Sequence, residues 1–216
     1  MAVFRPLIVV SLLVGLACEG RPAAAAAAAE RVVNIALEDQ FKNRHETLRY
    51  QGDVVVLVYA GRKGAEAALE LGRKLHVQFH PTASQAPATE WSRQPVAGLA
   101  GWPAGIAPPD VRVIPIACLP EVPKTLHTVA KSRFRKESPF VQVWLDFEDV
   151  MRQRFGMVPD EPNVVLLDTR GYPQGVVSGH LDEIRYGEVV SAIDQLRLRS
   201  LQDRTAAVPA AATMVR

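Results

Sequence analysis

Few side chains in this 216-residue chain could do chemistry. It holds two cysteines, Cys18 and Cys118. A thiol is a nucleophile or metal ligand only as the thiolate, which needs a cationic neighbour or a helix N-terminus. Cys18 lies in an apolar N-terminal run, and Cys118 follows the apolar run VRVIPIA. Cys118 therefore reads as a buried, inert small hydrophobe. The alternative is a one-cysteine thiol oxidoreductase or peroxidase that works through Cys118 with an external thiol partner. His76 and His80 (HVQFH) have i, i+4 spacing, which on a helix could bring both rings to one metal, with His127 and His180 as further ligands. No Cys, Asp or Glu accompanies the pair, so solvent-facing or capping roles are the simpler expectation. Gly61-Arg62-Lys63-Gly64 has the freedom and charge of an anion cradle before a helix, but lacks P-loop spacing and reads more simply as an exposed basic loop. Glu38-Asp39 and Asp146, Glu148 and Asp149 are acidic clusters. Paired carboxylates can do acid–base work, but loop and helix-start positions explain these. No nucleophile elbow marks a Ser–His–Asp arrangement.

The elements that must position these residues follow from periodicity. Val54 to Tyr59 is a continuous apolar, β-branched run closed on one side by Gln51-Gly52-Asp53, as expected of a strand buried on both faces. Ala65 to Leu75 has helical spacing, with Glu66 early and Arg73 and Lys74 late, an order that suits the helix dipole. Val32 to Leu37, His45 to Tyr50, Val111 to Ala117, Phe140 to Leu145 and Val164 to Leu167 read as extended, with Gly175 to Ser178 a hairpin partner of the last. Pro115 places an edge or a bulge in the 111–117 strand. Lys124 to Lys136, Glu148 to Phe155 and Ile184 to Leu201 read as helical. Residues 81–110 hold six prolines and three glycines around Trp91 and Trp102. A loop this long is uncommon, and its tryptophans argue for packing onto the domain.

Composition narrows the class. The chain is 48% hydrophobic, 22% charged and carries a formal charge of +2, so it reads as globular with a mixed surface, and nucleic acid is not expected as a partner. Arg5 followed by PLIVVSLLVGLA, Pro6 to Ala17, has the form of a signal peptide. Two processing routes fit: cleavage in the Ala-rich stretch Ala23 to Ala29, or lipidation at Cys18 after Leu16-Ala17. Residues 1–30 are thus expected to be a leader, 31–201 one domain with an insertion at 81–110, and 202–216 a flexible tail. Without the leader Cys118 has no disulfide partner.

In order, these elements resemble the thioredoxin-like superfamily, redoxin type (AhpC/TSA or TlpA-like). The segment FGMVPDEPNVVLLDTRGYPQGVVSGHLDE carries the likeness through Phe155-Gly156, Pro162, Val164 to Leu167, Asp168, Gly171 and Gly179. The resemblance covers Val32 to Leu201. It implies an α/β class with a thioredoxin-like fold, a central mixed sheet with flanking helices, and a cis proline beside the active-site loop, at Pro162, which directly precedes the strand, with Pro159 the alternative. It also implies a thiol just after the Val54 strand, where this chain has Lys63-Gly64-Ala65-Glu66. The active-site cysteines are missing. The expectation is an exported bacterial envelope protein, periplasmic or held as a lipoprotein, acting as a redox-inactive binding or accessory module. Arg62, Lys63, Gly64 and Pro162 would contact a protein or peptide partner. No cofactor is expected, and membrane contact only through a lipid on Cys18.

Overall fold

All seven residues of the strand Val54–Ala60 (β3) are buried. In a computed structural model describing residues 31–211, with side chains described to residue 203, this strand lies in the interior of the sheet, paired on both edges. The other strands are Ala36–Asp39 (β1), Arg44–Glu46 (β2), Val111–Cys118 (β4), Trp144–Asp146 (β5), Asn163–Leu167 (β6) and Pro173–Ser178 (β7). The helices are Ala65–Phe79 (α1), His127–Glu137 (α2), Val150–Phe155 (α3) and Glu183–Ala211 (α4). The sheet order is β2-β1-β5-β4-β3-β6-β7. Strands β3, β4 and β5 run parallel, β6 runs antiparallel to β3, and β7 runs antiparallel to β6.

Alternation along β3 divides the core. Val54, Val56, Val58 and Ala60 face α1 and α4, meeting Leu75, Phe79, Val189 and Ile193. Val55, Leu57 and Tyr59 face the other way, onto Ile35, Trp144 and Met151 of the N-terminal segment, β5 and α3. Burial on both faces removes the polar alternation that a half-exposed strand would need.

The expected bounds change where side chains compete for the backbone. Extended structure starts at Ala36, not Val32, and after Glu46 the chain turns 3-10 over Thr47–Tyr50. Thr47 Oγ1 accepts from Ile35 N and donates to Val33 O, drawing this turn under the sheet. Helix α1 runs on to Phe79, since its apolar face continues through His76 and Phe79 until Pro81. Helix α2 starts at His127, after a 3-10 turn over Lys124–Leu126, and α3 starts at Val150. The strand expected over Phe140 to Leu145 shrinks to Trp144–Asp146 because buried Gln40 captures the chain before it. Gln40 Nε2 donates to Ser138 O and Val141 O, both at 2.8 Å, and Val143 N donates to its Oε1 at 2.9 Å. Backbone expected as tail from residue 202 continues as α4 to Ala211. The expected leader, Cys18 included, lies outside the described residues. Among the described residues no helix is long and apolar enough to cross a membrane.

The 81–110 insertion forms two short 3-10 turns, Pro81–Gln85 and Trp91–Arg93, with irregular chain between and after them. Its anchor is Arg197 of α4, 1% exposed. Nε donates to Pro109 O at 3.0 Å, Nη2 to Ala97 O at 2.9 Å, and Nη1 to Asp194 Oδ1 at 3.0 Å. Ala97 N also donates to Phe79 O at 2.7 Å. Removing the guanidinium orphans two carbonyls and frees the insertion. Arg197→Met is expected to cost about 2–4 kcal/mol in urea unfolding, with faster amide exchange concentrated at residues 95–110.

Candidate functional site

The loop from β3 to α1 is where this topology brings a strand end to a helix N-terminus. The strand ends at Ala60, and Gly64 caps α1 without a side-chain hydrogen bond. Gly64 carries no Cβ for a steric reason: one built there would lie 2.8 Å from the Glu161 carbonyl oxygen. The loop before β6 is thus pressed onto the start of α1. Lys63 Nζ meets Asp160 Oδ2 at 3.0 Å in an exposed pair, worth little in water. Arg62 is exposed and Pro162 is buried.

Pro162 departs from expectation. Every peptide bond among the described residues is trans, including Glu161–Pro162. Trans is the lower-energy form of an X–Pro bond by about 0.5–1 kcal/mol. Asn163 helps hold the loop: Nδ2 donates to Glu161 O at 2.9 Å and to Val158 O at 3.2 Å, while Oδ1 accepts from Val158 N at 2.9 Å. The structure does bring Lys63, Gly64 and Pro162 together around this loop, but closes the space between them with backbone.

Cys118 ends β4 one strand away. Its register partner on β5 is Asp146, and it packs in the core opposite α1. It is fully buried and pushed up to about 12 by burial, with the Asp146 and Asp149 carboxylates adding to the shift. Asp146 is itself occupied: its carboxylate accepts from Glu148 N, Val150 N and Met151 N, capping α3. Asp39 likewise accepts from Phe41 N and Asn43 N and lies 2.8 Å from His45 Nε2. Both acidic clusters shape turns and a helix start.

His76 and His80 stack at 4.3 Å, as their spacing requires. Their nitrogens point elsewhere. His76 Nε2 donates to Trp91 O at 3.0 Å, and its ring lies 3.9 Å from the Trp91 ring. His80 Nδ1 donates to His76 O, and Nε2 lies 2.9 Å from Asp110 Oδ1. His127 bonds Val122 O and stacks on Phe147, while His180 is exposed. The pair ties Trp91 and Asp110 of the insertion to the C-terminal end of α1, and no metal-binding group of side chains forms among the described residues.

The cavities lie beside this pair. A groove of about 400 Å³ is walled by α1, the insertion and the chain after α2. A smaller lobe of about 160 Å³ sits against β4 and Trp144. Neither lobe includes Arg62, Lys63, Gly64 or Pro162. Sequence reading misses this groove, because its opening depends on Gln40, about a hundred residues from the backbone it holds. Trp91 and Pro115 were its visible signals.

In sheet order β7-β6-β3-β4, a βαβ unit precedes an antiparallel hairpin and a helix that packs beside α1. The fold is thioredoxin-like. No family model matches the sequence, and no curated protein matches it. Among solved structures, the pneumococcal exposed lipoprotein thioredoxin Etrx1 from Streptococcus pneumoniae is similar at 12% identity and TM-score 0.49, over 76% of this chain and 99% of that one. A secreted thiol-disulfide isomerase from Corynebacterium glutamicum is similar at 14% identity and TM-score 0.48, over 77% and 84%. The peroxidoxin BcpB from Mycobacterium tuberculosis is similar at 15% identity and TM-score 0.44, over 77% and 95%.

Two outcomes follow from this geometry. Gly64→Ala drives a Cβ into fixed backbone, so it should lower stability by about 1–3 kcal/mol in chemical denaturation while leaving Gly61→Ala far milder. His76 is lowered from 6.5 to about 4, chiefly by burial, with His80 adding to the shift and the Trp91 carbonyl opposing it. Between those values the unfolded chain takes up a proton that the folded chain refuses. Stability contributed above pH 6.5 is therefore lost as pH falls toward 4, by up to about 3 kcal/mol. Urea titrations across pH 4–7 should show that slope, and His76→Gln should flatten it. Asp110 extends the loss to lower pH: burial raises its carboxyl, but the His80 hydrogen bond, Arg112 and the Val111 N–H outweigh burial and hold it below 3.8.

Proposed function

We propose that this chain is a redox-inactive thioredoxin-like binding module, an accessory protein of the bacterial cell envelope that engages a peptide or protein segment. The observation that carries the reading is the start of α1. Thiol–disulfide exchange and peroxide reduction both need a thiolate held there. Lys63, Gly64 and Ala65 occupy that place, and the 158–161 loop packs over it. The one thiol among the described residues, Cys118, is buried and held neutral. A neutral buried thiol neither attacks a disulfide nor meets peroxide, so nothing favours an enzyme working through Cys118. The envelope placement is supported by the signal-like run Pro6 to Ala17 and by Cys18, either a lipid-bearing residue or part of a removed leader.

Thiol-dependent insulin reduction and peroxide consumption test this, with the chain and its Cys118→Ser variant measured side by side. Both proteins should match the uncatalysed background. Turnover in the parent that disappears in Cys118→Ser would establish a displaced redox centre and end the proposal.

A further inference from the structure

The outer edge of β4 is open over half its length. On one side β4 pairs with β3 from Val54↔Val111 to Ala60↔Ala117. On the other, β5 covers only Ile116 to Cys118. Asp110 O accepts from Val54 N toward β3, and Leu119 N donates to Asp146 O toward β5. Alternation along the strand then turns the N–H and C=O of Val113 outward, to the side with no strand. Val111 N is satisfied by Asp110 Oδ1 at 2.7 Å, and Pro115 has no N–H to satisfy. Val113 is only partly buried, so the unmet pair of groups is reachable.

This edge is held open. Continued backward in register from Trp144↔Ile116, Val141 would lie opposite Val113. Gln40, 0% exposed, instead takes the carbonyls of Ser138 and Val141 and the N–H of Val143. The chain that would close the sheet is bonded away from it, and the groove is the space left. Its other wall is the insertion, fixed by Arg197 and by the His76–Trp91 contact.

We propose that this groove binds an extended peptide segment as an added strand on β4, with apolar side chains at alternate positions and a carboxylate. It rests on the reading of the chain as a binding module and names the site and partner chemistry. An open strand edge selects an extended backbone, which Val113 would meet with one donor and one acceptor. Five residues, Val111 to Pro115, offer about 13 Å of edge. Leu69 and Phe140, 38% and 50% exposed, give apolar seats along the walls. The charge comes from Arg73, which is exposed on the α1 wall and makes no ion pair or hydrogen bond among the described residues. Glu137, the carboxylate in the same lining, is already paired with Arg133 at 2.7 Å. A carboxylate on the peptide answers the free guanidinium.

The test is a titration of the ¹⁵N-labelled protein with octapeptides that alternate Val, Leu or Phe with Thr and end in Glu with a free carboxylate. Members of this panel should shift the Val113 amide and give cross-strand contacts to it. Methylating the central peptide nitrogens should weaken binding about tenfold or more, with the protein unaltered. Val113→Pro should do the same, and Arg73→Glu should weaken carboxylate-bearing peptides about threefold to tenfold while sparing forms that end in Gln with an amidated terminus. No shift at Val113 up to 1 mM peptide, on the order of the weakest specific binding, overturns the proposal. So does binding that ignores both methylation and Val113→Pro, or shifts centred on Arg62 to Gly64. Those results leave the redox-inactive reading standing, which fails only if thiol turnover appears.

Discussion

The structure depends on burial of β3 from both sides. Seven consecutive apolar residues leave no face for water, so α1 and α4 must cover one side and the N-terminal segment with α3 the other. At about 25 cal/mol per Å² of apolar surface, this doubly covered strand supplies much of the stabilisation that opposes chain entropy. It also fixes direction. With β3 central, the start of α1 must lie at the strand's C-terminal end, where the fold can place a reactive group against a helix N-terminus. The chain keeps that architecture and fills the place with Gly64 against the Glu161 carbonyl.

The polar residues then determine where the surface opens. Three buried side chains fix loop backbone: Asn163 holds the adjacent 158–161 loop near α1, while Arg197 pins the insertion and Gln40 draws 138–143 off the sheet, both from far along the chain. Each is satisfied, as a buried polar group must be. Their combined effect closes the surface at the α1 N-terminus and opens it along β4. What remains is a helix start pressed by loop backbone at Gly64 and a groove along the open edge of β4.

Much of the frame was legible in the sequence because local pattern and tertiary role agree there. Val54 to Tyr59 and Val164 to Leu167 are apolar runs of strand length, and both are buried strands. Helix α1 was visible in its spacing and charge order, and the lack of a thiol after β3 in the bare residues. Most losses occur where a residue distant in sequence overrides local preference. FVQVWL alternates as a strand should, yet Gln40 takes its first half. Pro162 has the position of a cis proline in the resembling family, yet its bond is trans in the loop held by Asn163. The i, i+4 spacing of His76 and His80 does bring the rings together, on a helix that outruns its expected end at Leu75, but nothing local shows that Trp91 and Asp110 claim the nitrogens. Trp91 is expected to pack, and it does so on His76, where it forms a wall of the groove.

The central claim is that this thioredoxin-like frame carries no reactive thiol. The most direct measurement is the rate of Cys118 alkylation by iodoacetamide, followed by peptide-resolved mass spectrometry so that Cys18 is read separately. With the thiol pushed up to about 12 and fully buried, native protein at about pH 8 should leave Cys118 unmodified over hours, and unfolding in urea should expose it to rapid labelling. Labelling of native Cys118 as fast as that of an unfolded thiol would contradict the account.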